Sequence, residues 1–89
     1  MLKITRTNRF KKDYKKIIKH GKDIAKINSV LMKLASGERL EAKYKNHKLI
    51  GIYEGRWECH IEPDWLLIYE VDEDEIIFER TGSHSDLFK

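Results

Sequence analysis

The stretch RWECHIEPDWLLIYEVDEDEIIFERT, Arg56 to Thr81, decides how this 89-residue chain folds. Its first part has period two: Trp57, Cys59 and Ile61 alternate with Arg56, Glu58 and His60, the pattern of a strand with one apolar face. Pro63-Asp64 breaks the run, and a second strand follows from Trp65 to Val71. In that strand Leu66-Leu67-Ile68 is apolar without a break, as expected of a middle strand buried on both faces. Asp72-Glu73-Asp74 is a polar turn, and Glu75 to Thr81 forms the last strand. Three strands joined by short turns make an antiparallel meander.

Upstream the period changes. Leu2 to Thr5 is a short strand candidate. Thr7 or Asn8 then caps a helix that carries Phe10, Tyr14, Ile17 and Ile18 at helical spacing, with Gly21 as its C′ residue. Asp23 caps a second helix with Ile24, Ile27, Val30, Leu31 and Leu34 on one stripe, ending before Gly37. Residues 38–51 have no clean period and read as a connection with room for a brief strand. There are no repeats, linkers or low-complexity segments. The expected architecture is therefore one small α+β domain over residues 1–89, two N-terminal helices packed on one face of an antiparallel sheet.

Charge divides the chain. Residues 1–50 carry 15 Lys/Arg against 4 Asp/Glu, whereas residues 51–89 carry 3 against 11, which hides balances of +11 and −8 inside a net charge of +3. Lys11, Lys12, Lys15, Lys16, Lys19, Lys22 and Lys26 crowd the exposed helix faces. Such a surface fits a polyanion or an acidic partner, or is simply solvated. No apolar run approaches the ~18–20 residues that span a membrane. The single cysteine, Cys59, cannot form an internal disulfide and reads as a small buried hydrophobe. The expected compartment is the cytoplasm.

Three of four histidines lie late, His47, His60 and His84, with Asp64 and Arg80 among them. Strands of similar length bring these positions to one edge of the sheet. RNA cleavage without a metal needs a base for the 2′-OH, an acid for the leaving 5′-oxygen and a cation at the phosphate. Histidine serves as either acid or base near neutral pH, and arginine's planar fork suits phosphate. Trp65, Tyr44, Tyr53 or Phe88 can stack on splayed bases. Each residue also has a plainer reading. Asp64 can shape a turn, Arg80 can pair with a carboxylate, and both tryptophans can be core. His20, at a helix end, receives no chemical role. No HExxH, CxxC or close His pair indicates a metal site, and no P-loop, dinucleotide fingerprint or GxSxG elbow is present.

The runs Asn46-His47-Lys48-Leu49, Cys59-His60-Ile61-Glu62-Pro63-Asp64-Trp65-Leu66-Leu67-Ile68-Tyr69 and Phe78-Glu79-Arg80-Thr81-Gly82-Ser83-His84, continuing to Leu87-Phe88, resemble the YafQ branch of RelE-type toxins. The resemblance follows the whole chain in element order, with its specific part at residues 46–88. It implies a toxin of a type II toxin–antitoxin system that cuts messenger RNA in the ribosomal A site, without a cofactor, and is neutralised by a cognate antitoxin. The implied catalytic residues are His84, Asp64, His60, His47 and Arg80. His84 and Asp64 are the expected proton-transfer pair, and Trp65 and Phe88 position nucleotides. Lys11, Lys15 and Lys19 would then contact ribosomal RNA phosphates. The alternatives are a non-enzymatic ParE-like toxin acting on DNA gyrase and a plain RNA-binding module. A gyrase binder has no need of proton-transfer groups, and the acidic second half suits an RNA-binding module poorly.

Overall fold

The structure, a computed structural model, describes residues 1–88. Strand β1 (Lys3–Arg6) leads into helix α1 (Asn8–Lys19) and helix α2 (Ile24–Ala35). A two-residue strand β2 (His47–Lys48) precedes the meander β3 (Trp57–Glu62), β4 (Trp65–Val71) and β5 (Glu75–Gly82), and a short helix α3 (His84–Leu87) follows. The five strands form one sheet in the order β1-β5-β4-β3-β2.

The two long helices start and stop as the sequence reading expects. Thr7 Oγ1 accepts from the Phe10 amide at 3.0 Å, and Asp23 Oδ1 accepts from the Ala25 amide at 3.0 Å. At the end of α1 the Lys22 amide donates to the Ile17 carbonyl, a closure that places Gly21 at φ +77°. The Thr7 hydroxyl also donates to the Glu79 carbonyl at 2.8 Å, tying the start of α1 to β5.

The meander is antiparallel, as expected, but β1 joins β5 in parallel, with Ile4 opposite Ile76 and Arg6 opposite Phe78. The sheet is thus mixed. Nothing local marks this pairing, because the two strands are separated by most of the chain and no hairpin turn joins them. The expected brief strand in the connection is β2, which pairs His47 with Glu58.

The main core lies between the helices and one sheet face. Phe10 and Ile17 of α1 and Ile27, Val30 and Leu34 of α2 pack with Cys59, Ile61, Trp65, Leu67, Tyr69, Ile76 and Phe78. On the opposite face Leu66, Ile68 and Leu87 form a smaller cluster, flanked by Leu49 and Tyr53. Central β4 therefore sends alternate side chains into both clusters, and every residue from Trp65 to Tyr69 is buried. Burial pushes the Cys59 thiol up to about 12, so it is an inert filler of the core.

Trp65 belongs to this core. It is 1% exposed, and its indole N–H donates to Thr81 Oγ1 at 3.0 Å. The Thr81 hydroxyl in turn donates to the Leu66 carbonyl at 2.7 Å. A ring so enclosed has no face for a nucleotide, which corrects the expectation that Trp65 stacks on substrate. Trp65→Ala should destabilise the protein by about 3–5 kcal/mol through the cavity it leaves. Trp65→Phe should lose less. Urea unfolding of both variants checks this, with the larger fall in stability expected for Trp65→Ala.

Candidate active site

Sheet register assembles the site on the face opposite the long helices. His47 pairs with Glu58, Glu58 with Ile68, and Ile68 with Arg80, so these four form one cross-strand row. In the next row His60 pairs with Leu66 and Leu66 with Gly82. Neighbouring strands lie ~4.8 Å apart, which sets the spacing of both rows. The β3–β4 register shifts between His60 and Glu62, just before the Pro63-Asp64 turn.

The turn presents Asp64 to the start of α3. Asp64 Oδ1 accepts from the His84 amide at 2.9 Å and lies 2.7 Å from His84 Nδ1. These two bonds, the backbone one foremost, hold the Asp64 carboxyl below its ordinary value and keep it ionised near neutral pH. An ionised carboxylate only accepts, so His84 carries its hydrogen on Nδ1 and turns Nε2 outward. Beyond the last strand, His84 is the first residue of α3, anchored through buried Leu87.

His60 is the centre of a histidine row, its ring 5.8 Å from that of His84 and 6.4 Å from that of His47. Glu58, 5% exposed, lies beneath the latter pair. Its Oε1 is 3.3 Å from His60 Nε2 and 3.6 Å from His47 Nε2. The other nitrogen of each ring faces a backbone carbonyl: Pro63 at 3.3 Å for His60, Lys45 at 2.7 Å for His47. Both nitrogens of His60 thus face protein acceptors.

Arg80 lies in the first row but is not free. Its Nε and Nη2 donate to Asp13 at 2.7 and 3.3 Å, and the Thr81 amide adds a third bond to the same carboxylate at 3.2 Å. The Asp13 bond is the main reason that the guanidinium is held above its ordinary value, and Tyr53 adds to it. Phe88 is 43% exposed, with its ring 6.3 Å from that of His84 and edge-on to Tyr53 at 5.6 Å. Lys11, Lys15 and Lys19 are exposed on α1. His20, also exposed, lies outside the histidine row.

Three contributors were not singled out from sequence. Glu58 stands two residues before His60, and strand alternation puts both on one face, so period two offered a signal. Asp13, alone among the lysines of α1, and Asp86 had none. Asp86 closes a capping box with Ser83, accepting from the Ser83 amide at 3.0 Å while its own amide donates to Ser83 Oγ at 3.1 Å. The first bond and Lys16 hold its carboxyl down to about 2. Its contribution is therefore complete above the ordinary value of 3.8 and lost as pH falls toward 2. Among the described residues, no three His, Cys, Asp or Glu side chains are grouped to hold a metal ion.

A small α+β domain with a row of histidines braced by carboxylates is the frame of a general acid–base site. Over residues 2–89 the sequence matches the family described as "Bacterial toxin of type II toxin-antitoxin system, YafQ". It is 39% identical over 83 residues to the mRNA interferase toxin YafQ of Escherichia coli K12, covering 92% of this chain and 90% of that one. The YafQ fold in the E. coli DinJ–YafQ complex superposes with a TM-score of 0.94 at 37% identity over the full length of both chains. A metal-bound toxin from Helicobacter pylori does so with a TM-score of 0.92 at 40% identity, over 99% of this chain and 100% of that one. The chain belongs to the YafQ family of bacterial type II toxins.

The site depends on Gly82, which precedes the cap of α3 at φ +154°, a conformation nearly restricted to glycine. A Cβ there would stand 3.0 Å from Asp86 Oδ2 and 3.1 Å from its Cβ. Gly82→Ala should therefore shift α3 and His84 while the core stays folded. Activity should fall about 10- to 100-fold. Cleavage assays beside near-UV circular dichroism check it, and parental activity would show that α3 does not need this geometry.

Proposed function

We propose that this protein is a ribosome-dependent endoribonuclease that cleaves messenger RNA in the A site by metal-free attack of the 2′-OH. It is the toxin of a cytoplasmic type II pair, and a cognate antitoxin neutralises it. The observation that carries the reading is the bond of His84 Nδ1 to Asp64, beside His60 and His47 over buried Glu58. Membership of the YafQ family supports it, as do the mRNA interferase name of the E. coli relative and that relative's complex with DinJ.

In this mechanism Asp64 is the orienting group. It fixes the hydrogen of His84 on Nδ1, so Nε2 takes the proton from the 2′-OH. The oxygen then attacks the adjacent phosphorus, and the 5′-oxygen leaves with a proton from His60. His47 binds the phosphoryl oxygens, and Glu58 holds it and His60 in place. Arg80, fixed by Asp13, adds a cation two strands from Glu58, while Phe88 offers a ring beside His84. Lys11, Lys15 and Lys19 engage ribosomal phosphates.

Single-turnover cleavage on programmed ribosomes tests the assignment. His84→Ala should lose roughly 10²–10⁴ in rate with little change in stability, because its side chain is about half exposed. His20→Ala should match the parent. Equal rates for parent and His84→Ala would remove His84 from the mechanism. Arg80→Ala is a poorer probe, since it strands Asp13 without its partner.

The docking claim has its own test. Replacing Lys11, Lys15 and Lys19 together with Glu should weaken ribosome association and flatten its dependence on salt. An unchanged salt slope would make this face a solvated one.

A further inference from the structure

Between α2 and the end of β3 lies an open groove of about 540 Å3, within the ~300–1,000 Å3 range of ligand sites. Lys26 and Ser29 line one side, Lys43, Tyr44 and Lys45 another, and His60 stands at its inner end. Glu62, also in the wall, is paired with Lys26 at 2.9 Å and Lys22 at 3.7 Å. With Lys26 taken up by Glu62, Lys43 and Lys45 leave the groove cationic. Tyr44 is half-buried, with Lys43 Nζ 5.2 Å from its ring centroid. Lys33 Nζ also lies over this ring at 5.6 Å, so a base stacked on Tyr44 would displace a flexible lysine chain and leave its ammonium for the adjoining phosphate.

The groove is joined to the site by construction. Lys45 adopts the left-handed conformation at φ +49°. Its carbonyl thereby meets His47 Nδ1 at 2.7 Å, while Asn46 Oδ1 accepts from the buried Tyr69 hydroxyl at 2.6 Å. One anchored turn thus orients His47 toward Glu58 and supplies two of the groove's lysines and its aromatic ring. His60 belongs to both. A nucleic-acid strand laid along both would pass over His60.

We infer that this groove is the subsite for the nucleotide next to the scissile phosphate, with its base on Tyr44 and its phosphate on Lys43 and Lys45. The inference rests on the endoribonuclease reading above. It makes Tyr44 a contact that senses the base beside the cut.

The test is a double-mutant cycle on programmed ribosomes. Messages carry an abasic nucleotide at each position flanking the cut, and kcat/KM is measured for the parent and for Tyr44→Leu. At one flanking position the missing base should cost the parent about tenfold and Tyr44→Leu less than about twofold. Should Tyr44→Leu fail to fold, Lys43→Gln with a methylphosphonate at the flanking phosphate gives an equivalent cycle. Equal losses in parent and variant at every position overturn the subsite while leaving the cleavage reading intact. A parent that cuts no message overturns the cleavage reading itself. Weakened neutralisation by the antitoxin, with base sensitivity unchanged, assigns the groove to an acidic protein partner and also overturns the subsite.

Discussion

Central strand β4 is buried on both faces, and that constraint organises the molecule. Trp65, Leu67 and Tyr69 point into the helix-covered core, while Leu66 and Ile68 point into the cluster beneath the site. Each buried face removes apolar surface from water, worth about 25 cal/mol per Å2. A one-residue slip of β4 would exchange its two sets of side chains between clusters of different size. Register is therefore strongly specified. The same register places Glu58 and Arg80 on either side of Ile68, and His60 and Gly82 on either side of Leu66.

On this scaffold every histidine of the row is held by acceptors. Backbone carbonyls take one nitrogen of His47 and His60, Asp64 takes one of His84, and buried Glu58 faces the first two. Orientation comes from short-range bonds, whereas the positions come from the sheet. The end of α3 is joined to both, because Leu87 plugs the smaller cluster while His84 opens the helix. Catalytic geometry here is a consequence of packing around the smaller cluster, with α1 holding Arg80 through Asp13.

Much of this was legible in sequence because its signals are local. Period two marked β3, the uninterrupted Leu66-Leu67-Ile68 marked a strand buried twice, and Thr7 and Asp23 marked helix starts. The parallel pairing of β1 was not legible, since no turn encodes a partner some seventy residues away. Trp65 misled for a related reason: its alternation with Leu67 and Tyr69 indicates burial, whereas the family motif indicates contact with substrate. The structure gives the ring to the core. Glu58 was treated as the polar side of an amphipathic strand, but the segment from Leu49 to Tyr53 and α3 cover that side as well. Asp13 is the least visible of all, because its partner Arg80 is brought to it only by tertiary packing.

The central claim is that histidines, with no metal, move the protons of a 2′-OH attack. Analysis of the fragment ends from a single-turnover reaction tests it most directly. The account predicts a 2′,3′-cyclic phosphate, or the 3′-phosphate derived from it, on the upstream fragment and a 5′-OH on the downstream one. A 3′-OH upstream with a 5′-phosphate downstream would mean that water, and not the neighbouring 2′-oxygen, attacks the phosphorus. That result would contradict the roles given to His84 and His60.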